Sequence, residues 1–359
     1  MSRQFISHDK MTAWLDALSR DRAVLVPMDD CGTVTFRPYV PGRKALLDKM
    51  PVRAPKEGVF PQTETLLRFK YDKDPENLDR VKVQVREVLP TQKAVVVGGR
   101  PCGARGQLIL DRVYNCDTMR DPYYVSRREN TLYVTVACTS AESTCFCHSV
   151  GSGPDDSEGS DVLLVPVEGG YVAEGVTERG RELLAEGDFE SASQARMDEA
   201  GAVISRTRGQ LGEAHDYSDA PRKLLERFDD MDFWNEQAAI CISCGACTYL
   251  CPTCYCFNMT DEQSGLQGKR LRTWDTCMSF EFTLEGSGHN PRPTKAHRLR
   301  NRMGHKFAYY PELHEGLIAC CGCGRCIKSC PVSLDIRAVV QAAQNHNAVP
   351  EEAEEKADA

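Results

Sequence analysis

No stretch of the chain stays apolar for the ~18 residues that a membrane-spanning helix requires. The first twenty residues, MSRQFISHDKMTAWLDALSR, lack both an apolar core and a small-residue cleavage site. No secretory signal is therefore expected, and a cytoplasmic location is the default expectation. Basic excess is also missing. The net charge of −8 gives no general attraction to nucleic acid or anionic lipid. No phosphate-binding loop is present. VVVGGRPCGARG (95–106) offers a strand, a glycine turn and a helix, but Arg100 stands where a dinucleotide fingerprint needs glycine. Hydrophobic content of 41% and charged content of 27% are ordinary for a globular protein. The 359 residues suggest two domains.

What the chain has in excess is cysteine, 18 residues of it. Without an export signal disulfides are not expected, because the cytosol keeps thiols reduced. The thiols also cluster. CISCGACTYLCPTCYCF (241–257) alone holds six. Metal is the better reading.

Hydrophobic periodicity outlines the rest. Residues 8–19 predict an amphipathic helix with Met11, Trp14, Leu15 and Leu18 on one face. Strands are predicted at 23–28, 33–40, 93–99, 131–138 and 161–176, with helices at 103–115 and 178–186. The loop at 151–161 reads as a surface excursion. The predicted class is α+β: a mixed α/β domain over 1–205, a linker and lead-in helix over 206–230, and a mostly helical ferredoxin-like domain over 231–345 with an insertion at 257–319. A helix is predicted at 333–345, with Ser333 as N-cap and Ile336, Val339, Val340 and Ala343 on one face. The acidic tail, 346–359, is expected to be disordered.

One spacing occurs twice. Cys241, Cys244, Cys247 and Cys251 precede Pro252; Cys320, Cys323, Cys326 and Cys330 precede Pro331. C-x2-C-x2-C-x3-C-P is the run of two-cluster ferredoxins, in which the fourth cysteine ligates the other cube. The expected ligands are crossed: Cys241, Cys244, Cys247 and Cys330 for one [4Fe–4S] cluster, and Cys320, Cys323, Cys326 and Cys251 for the other. Zinc sites instead pair two C-x2-C units over a longer gap. Cys321 falls out of frame and reads as a buried thiol. Cys254 and Cys256 either substitute as ligands or protect the cluster edge.

Upstream, Cys102, Cys138, Cys145 and Cys147 form a second set. Cys102 and Cys138 each end a strand-like stretch, so the four are candidates for a third cluster; the alternative is four unrelated buried cysteines. Cys31 and Cys116 have no evident partners and default to structural roles. Within the insertion, residues 289–306 hold six Lys or Arg, three His and no acid. This run is either a solvated helix, a docking face for an acidic partner, or a set of cations that offsets the negative charge of thiolate-ligated cubes. Trp274 and Cys277 read as packing residues.

Together PQTETLLRF (61–69), GGRPC (98–102), DPYYVSRRE (121–129), CFCHSVGSGP (145–154), CISCGACTYLCPTCYCF and CGCGRCIKSCPVSLDI (321–336) resemble one family. It comprises the iron–sulfur β subunit of cytoplasmic sulfhydrogenases, which are NAD(P)-linked nickel–iron hydrogenases, and the corresponding iron–sulfur subunit of anaerobic sulfite reductase. The resemblance spans about 55 to 340. GGRPCGARG departs from the commoner form, in which an acidic residue follows the cysteine. The resemblance implies an electron-transfer subunit without a catalytic site of its own. Its implied partners in a hetero-oligomer are a subunit binding FAD and NAD(P)H and a terminal metal-centre subunit, nickel–iron hydrogenase or sirohaem sulfite reductase in type. It implies no nucleic-acid partner. The alternative is an iron–sulfur enzyme with substrate chemistry at a cluster in the N-terminal domain. A cysteine-rich structural or nucleic-acid module is the third class.

Overall fold

The computed structural model describes residues 3–77 and 79–345. The predicted disordered tail, 346–359, lies outside the described residues. Strand β1 (Gln4–Ser7) leads into α1 (His8–Leu18), where Ser7 caps the helix and Met11, Trp14, Leu15 and Leu18 are buried as predicted. Strands β2 (Ala23–Asp30) and β3 (Thr33–Pro38) form a hairpin that turns through Cys31 and Gly32, both at positive φ. Next come β4 (Thr63–Lys73), β5 (Val81–Glu87) and β6 (Ala94–Gly99), followed by α2 (Pro101–Tyr114). The short pair β7 (Asn115–Cys116) and β8 (Met119–Arg120) precedes α3 (Pro122–Asn130) and β9 (Thr131–Val136).

The predicted strand 161–176 is two strands, β10 (Val162–Val167) and β11 (Gly170–Gly175), because Gly169 at φ +74° closes a turn between them. Helix α4 (Glu178–Ala185) and β12 (Glu190–Ser191) complete an eight-stranded sheet of order β12-β1-β11-β10-β9-β6-β2-β3. Its central strands β2, β6, β9 and β10 run parallel and its flanks antiparallel. The pleat sends Val95 and Val97 to a core shared with α1 and α4, and Val96 to the opposite core with Leu110, Tyr114 and Tyr124 from α2 and α3. Both faces are covered, as a parallel sheet requires. Cys102 and Cys138 follow the carboxyl ends of the neighbouring parallel strands β6 and β9, where α/β folds place their ligands.

Helix α5 (Gln194–Gly209) continues past residue 205, and the stretch read as linker carries α6 (Ala220–Glu226). Then follow α7 (Met231–Gln237) and the single turn α8 (Ala246–Tyr249). The C-terminal part is not helical throughout. The insertion opens with β13 (Phe257–Ser264) and β14 (Gln267–Trp274), which join β4 and β5 in a sheet of order β13-β14-β4-β5. Four-strand pairing therefore fastens the insertion to the N-terminal half. At this junction Arg272 lies 2.7 Å from Glu64 and 2.5 Å from Asp121, while Arg127 adds a 2.6 Å contact to Glu64. Arg272 and Glu64 are both buried. Helix α9 (Lys295–Gly304) passes through a π turn at 305–309 into α10 (Tyr310–Leu313). After α11 (Arg325–Lys328), α12 (Ile336–Asn345) closes the chain with Ile336, Val339, Val340 and Ala343 buried as predicted. These helices share one core around Trp234, Leu299, Met303 and Phe307.

Removing one partner of a buried ion pair costs about 3–5 kcal/mol. Glu64→Gln, which leaves Arg272 short of one anion, is expected to lower stability by that order, read as a drop in the urea midpoint of the anaerobically purified chain.

Candidate metal centres

The two cysteine runs have the same backbone. Ser243 and Gly322 occupy equivalent positions and both have positive φ (58° and 61°); Gly245 and Gly324 are likewise equivalent (73° and 67°). Each of the second pair starts a single helical turn, α8 or α11, that carries the third cysteine of its run. Space fixes the glycines as well. A Cβ on Gly322 would lie 2.5 Å from the backbone of Cys147, and one on Gly324 would lie 2.4 Å from the Thr144 carbonyl oxygen. The second run thus seats directly on residues 144–147, held by a 2.8 Å bond from the Phe146 N–H to the Gly322 carbonyl.

The fold brings the runs together although 68 residues separate Cys251 from Cys320. Cys241, Cys244 and Cys247 line one cavity, and Cys326 and Cys330 reach it from the second run. Cys251 makes the reciprocal crossing into electrostatic reach of Cys320, Cys323 and Cys326. Backbone N–H groups already point at two of these sulfurs: Ser243 at Cys241 Sγ (3.4 Å) and Leu334 at Cys330 Sγ (3.3 Å). Among the described residues, no three His, Cys, Asp or Glu side chains gather about a single metal ion.

The basic run is not a solvated helix. Arg298, Arg302 and Lys306, spaced four apart, lie on one face of α9 and its π turn and are only 7%, 3% and 4% exposed. Arg298 reaches Ser243 Oγ at 3.3 Å. Lys306 Nζ donates to Thr253 Oγ1 (2.7 Å), the Ala319 carbonyl (3.1 Å) and Cys251 Sγ (3.3 Å). Arg302 sits between the runs, with Nε and Nη2 lacking any hydrogen-bond partner. Burial alone would lower the pKa of Arg302, but the Cys247 and Cys326 thiolates reverse this and the net shift is upward. Lys306 behaves alike, with burial outweighed by Cys251, Cys254 and Cys320. An unpaired buried guanidinium among thiols calls for more negative charge than neutral thiols supply. A thiolate-ligated cube has that charge, so the residues fit the group.

The N-terminal set converges on the second run. A cavity of about 290 Å³ is lined by Cys138, Cys145 and Cys323, with Arg100 and Arg325. Cys147 feels the charges of Cys138 and Cys145. Cys102 instead lies within electrostatic reach of Cys323, and Arg325 Nη1 lies 3.5 Å from Cys102 Sγ. Arg100 is held by the carbonyls of Val136, Leu47 and Lys49. Sequence reasoning misses both arginines. Arg325 has a signal, standing directly after Gly324 in the repeated run; Arg100 reads there only as a missing glycine.

Cys321 is buried beside Cys323. Cys254 contacts Cys251, whose thiol this hydrogen bond draws downward in pKa. Cys277 is buried in the helical core, as a packing residue would be, within electrostatic reach of Cys256. Cys31 is exposed, and Cys116 hydrogen-bonds Thr118 and the Met119 carbonyl.

Residues 240–334 match the family model described as a 4Fe-4S dicluster domain. The chain is 30% identical over 257 residues to sulfhydrogenase 2 subunit beta of Pyrococcus furiosus, covering 71% of this chain and 75% of that one. No solved structure matches.

Arg302→Met removes the positive charge between the two runs. With iron and sulfide bound, at least one midpoint potential is expected to fall by about 59 mV, a tenfold bias in a one-electron equilibrium. Anaerobic redox titration followed by electron paramagnetic resonance measures it, and unshifted midpoints would rule out charge compensation.

Proposed function

Because the chain belongs to the iron–sulfur β-subunit family of sulfhydrogenases, we propose that it is an electron relay in a multi-subunit oxidoreductase. It receives single electrons from a subunit that binds flavin and NAD(P)H and delivers them to a terminal metal-centre subunit, or the reverse. The terminal subunit is of nickel–iron hydrogenase or sirohaem sulfite reductase type. The observation that carries this reading is the crossing of Cys330 into the cavity of the first run. Such crossing supports two cubes held side by side within one core.

In this reading Cys241, Cys244, Cys247 and Cys330 hold one [4Fe–4S] cluster, and Cys320, Cys323, Cys326 and Cys251 hold the other. Cys102, Cys138, Cys145 and Cys147 hold a third, beside the second run. Bound cubes supply one-electron carriers whose potentials follow charge, hydrogen bonding and solvent access. The chain's own residues set those terms. Arg302 and Lys306 place positive charge at the ferredoxin pair, and Arg325 places it between Cys102 and Cys323. Ser243 and Leu334 donate N–H groups to ligand sulfurs, which disperses thiolate charge. Leu299, Met303 and Phe307 keep water from the helical side. The adjacency of Cys102 to Cys323 supports a route from the N-terminal cavity into the ferredoxin pair. Among the described residues no helix is long and apolar enough to cross a membrane.

Anaerobically purified chain is expected to be brown, with roughly twelve iron and twelve sulfide per chain if all three sets are filled and roughly eight if only the ferredoxin pair is. Cys145→Ser should lower the count by about four while sparing the ferredoxin signals. A colourless, zinc-loaded preparation would overturn the relay. Isolation of the native complex identifies the terminal subunit by its nickel or its sirohaem.

A further inference from the structure

Given the multi-subunit reading above, on which this rests, we infer that a partner subunit joins the chain at the outer edge of the four-stranded sheet. It does so by adding a strand in which apolar and acidic residues alternate. Strand β5 ends the sheet order β13-β14-β4-β5, so among the described residues one side of its backbone meets no other strand. Unpaired N–H and C=O groups along such an edge are a template for a further strand. All seven residues of β5, VKVQVRE, are exposed.

The pleat divides those residues between two faces. Val81, Val83 and Val85 lie on one and are 54%, 52% and 62% exposed. The register sets Val83 opposite Tyr71 and Val85 opposite Phe69, whose rings meet edge-on with centroids 5.6 Å apart. Phe69 in turn lies over Gly268 of β14, where a Cβ would come within 2.3 Å of the ring. An apolar strip therefore runs from the middle of the sheet out to β5, and contiguous apolar surface of this kind marks an interaction site.

Lys82, Gln84 and Arg86 occupy the other face. There the register sets Arg86 opposite Arg68, and Arg68 opposite Lys269. Three cations stand side by side across three strands, and like charges directly opposed are unfavourable. Glu262 pairs with Lys269 and Asp72 with Lys70. Lys82, Arg68 and Arg86 have no ion pair among the described residues. This face is also hollow, with an open cavity of about 640 Å³ over Arg68, Lys70, Arg86 and Lys269. Acidic side chains of an added strand would lie opposite Lys82 and Arg86, while their apolar neighbours extend the valine strip.

Other occupants match less of this edge. Antiparallel pairing of two copies of β5 about Gln84 sets Lys82 opposite Arg86 at both ends. The chain's own acidic tail has only alanines as apolar residues after Pro350. A nucleic acid would answer the cations and leave the valines and the open backbone unmatched.

The test compares the native complex with the chain alone, both prepared anaerobically. Expected in the complex are slowed amide exchange over 81–87 and zero-length carbodiimide cross-links from Lys82 to Asp or Glu of another subunit. Val83→Asp and Arg86→Glu should each weaken reassembly with the remaining subunits by more than about tenfold, at unchanged iron content and urea midpoint, and Arg86→Lys should retain it. Amides at 81–87 that exchange equally fast in the complex and in the chain alone would overturn the edge contact, as would unchanged assembly of both variants. Cross-links joining only copies of this chain, or ultraviolet cross-links from 81–87 to nucleic acid, would overturn it in favour of those occupants. Absence of any co-purifying subunit would overturn the multi-subunit reading itself.

Discussion

Arg302 keeps a guanidinium in the interior with two nitrogens unpartnered, and proteins do not retain such a charge without an anion close by. Much of the C-terminal architecture follows from meeting that demand. Arg298 and Lys306 extend the positive row at four-residue spacing, so that one helix face serves both cysteine runs. The π turn at 305–309 keeps Lys306 aimed at Cys251 while the chain shifts direction into α10. The long separation of the runs in sequence is thereby explained: the insertion delivers the cations that a compact ferredoxin would lack room to bury.

The other half of that insertion serves attachment. The β13–β14 hairpin adds to β4 and β5, and the buried Arg272–Glu64 pair, with Arg127 and Asp121 beside it, secures it. The second cysteine run is held to the N-terminal domain independently, through Gly322 and Gly324 against residues 144–147. With two attachments the thiol cavities keep a fixed relation, and electron hopping depends steeply on that relation.

The sequence displayed the parts whose signal is local. Spacing and proline placed the two cysteine runs, helical periodicity placed α1 and α12, and the runs of Val placed β6 and β9 with a cysteine at each end. Cys102 and Cys138 were thus recognisable as neighbours before any topology was known. Strand β13 was not legible, because all eight of its residues are exposed and carry no alternation of apolar and polar side chains. Strand β5 was missed although VKVQVRE (81–87) alternates apolar and polar side chains at the strand period. The partnership of Cys102 with Cys323 was hidden for another reason. It joins positions 221 residues apart by a packing of glycine on backbone that no periodicity encodes. The charge of residues 289–306 was plain, but which of its cations turn inward depends on the phase of α9 relative to both runs.

Entry of Cys330 into the first cavity also bears on biogenesis. During synthesis Cys241, Cys244 and Cys247 leave the ribosome several seconds before Cys330, at ~5–20 residues per second. On the proposed ligand assignment, a cluster in the first run would be completed only once Cys330 has emerged and folded back.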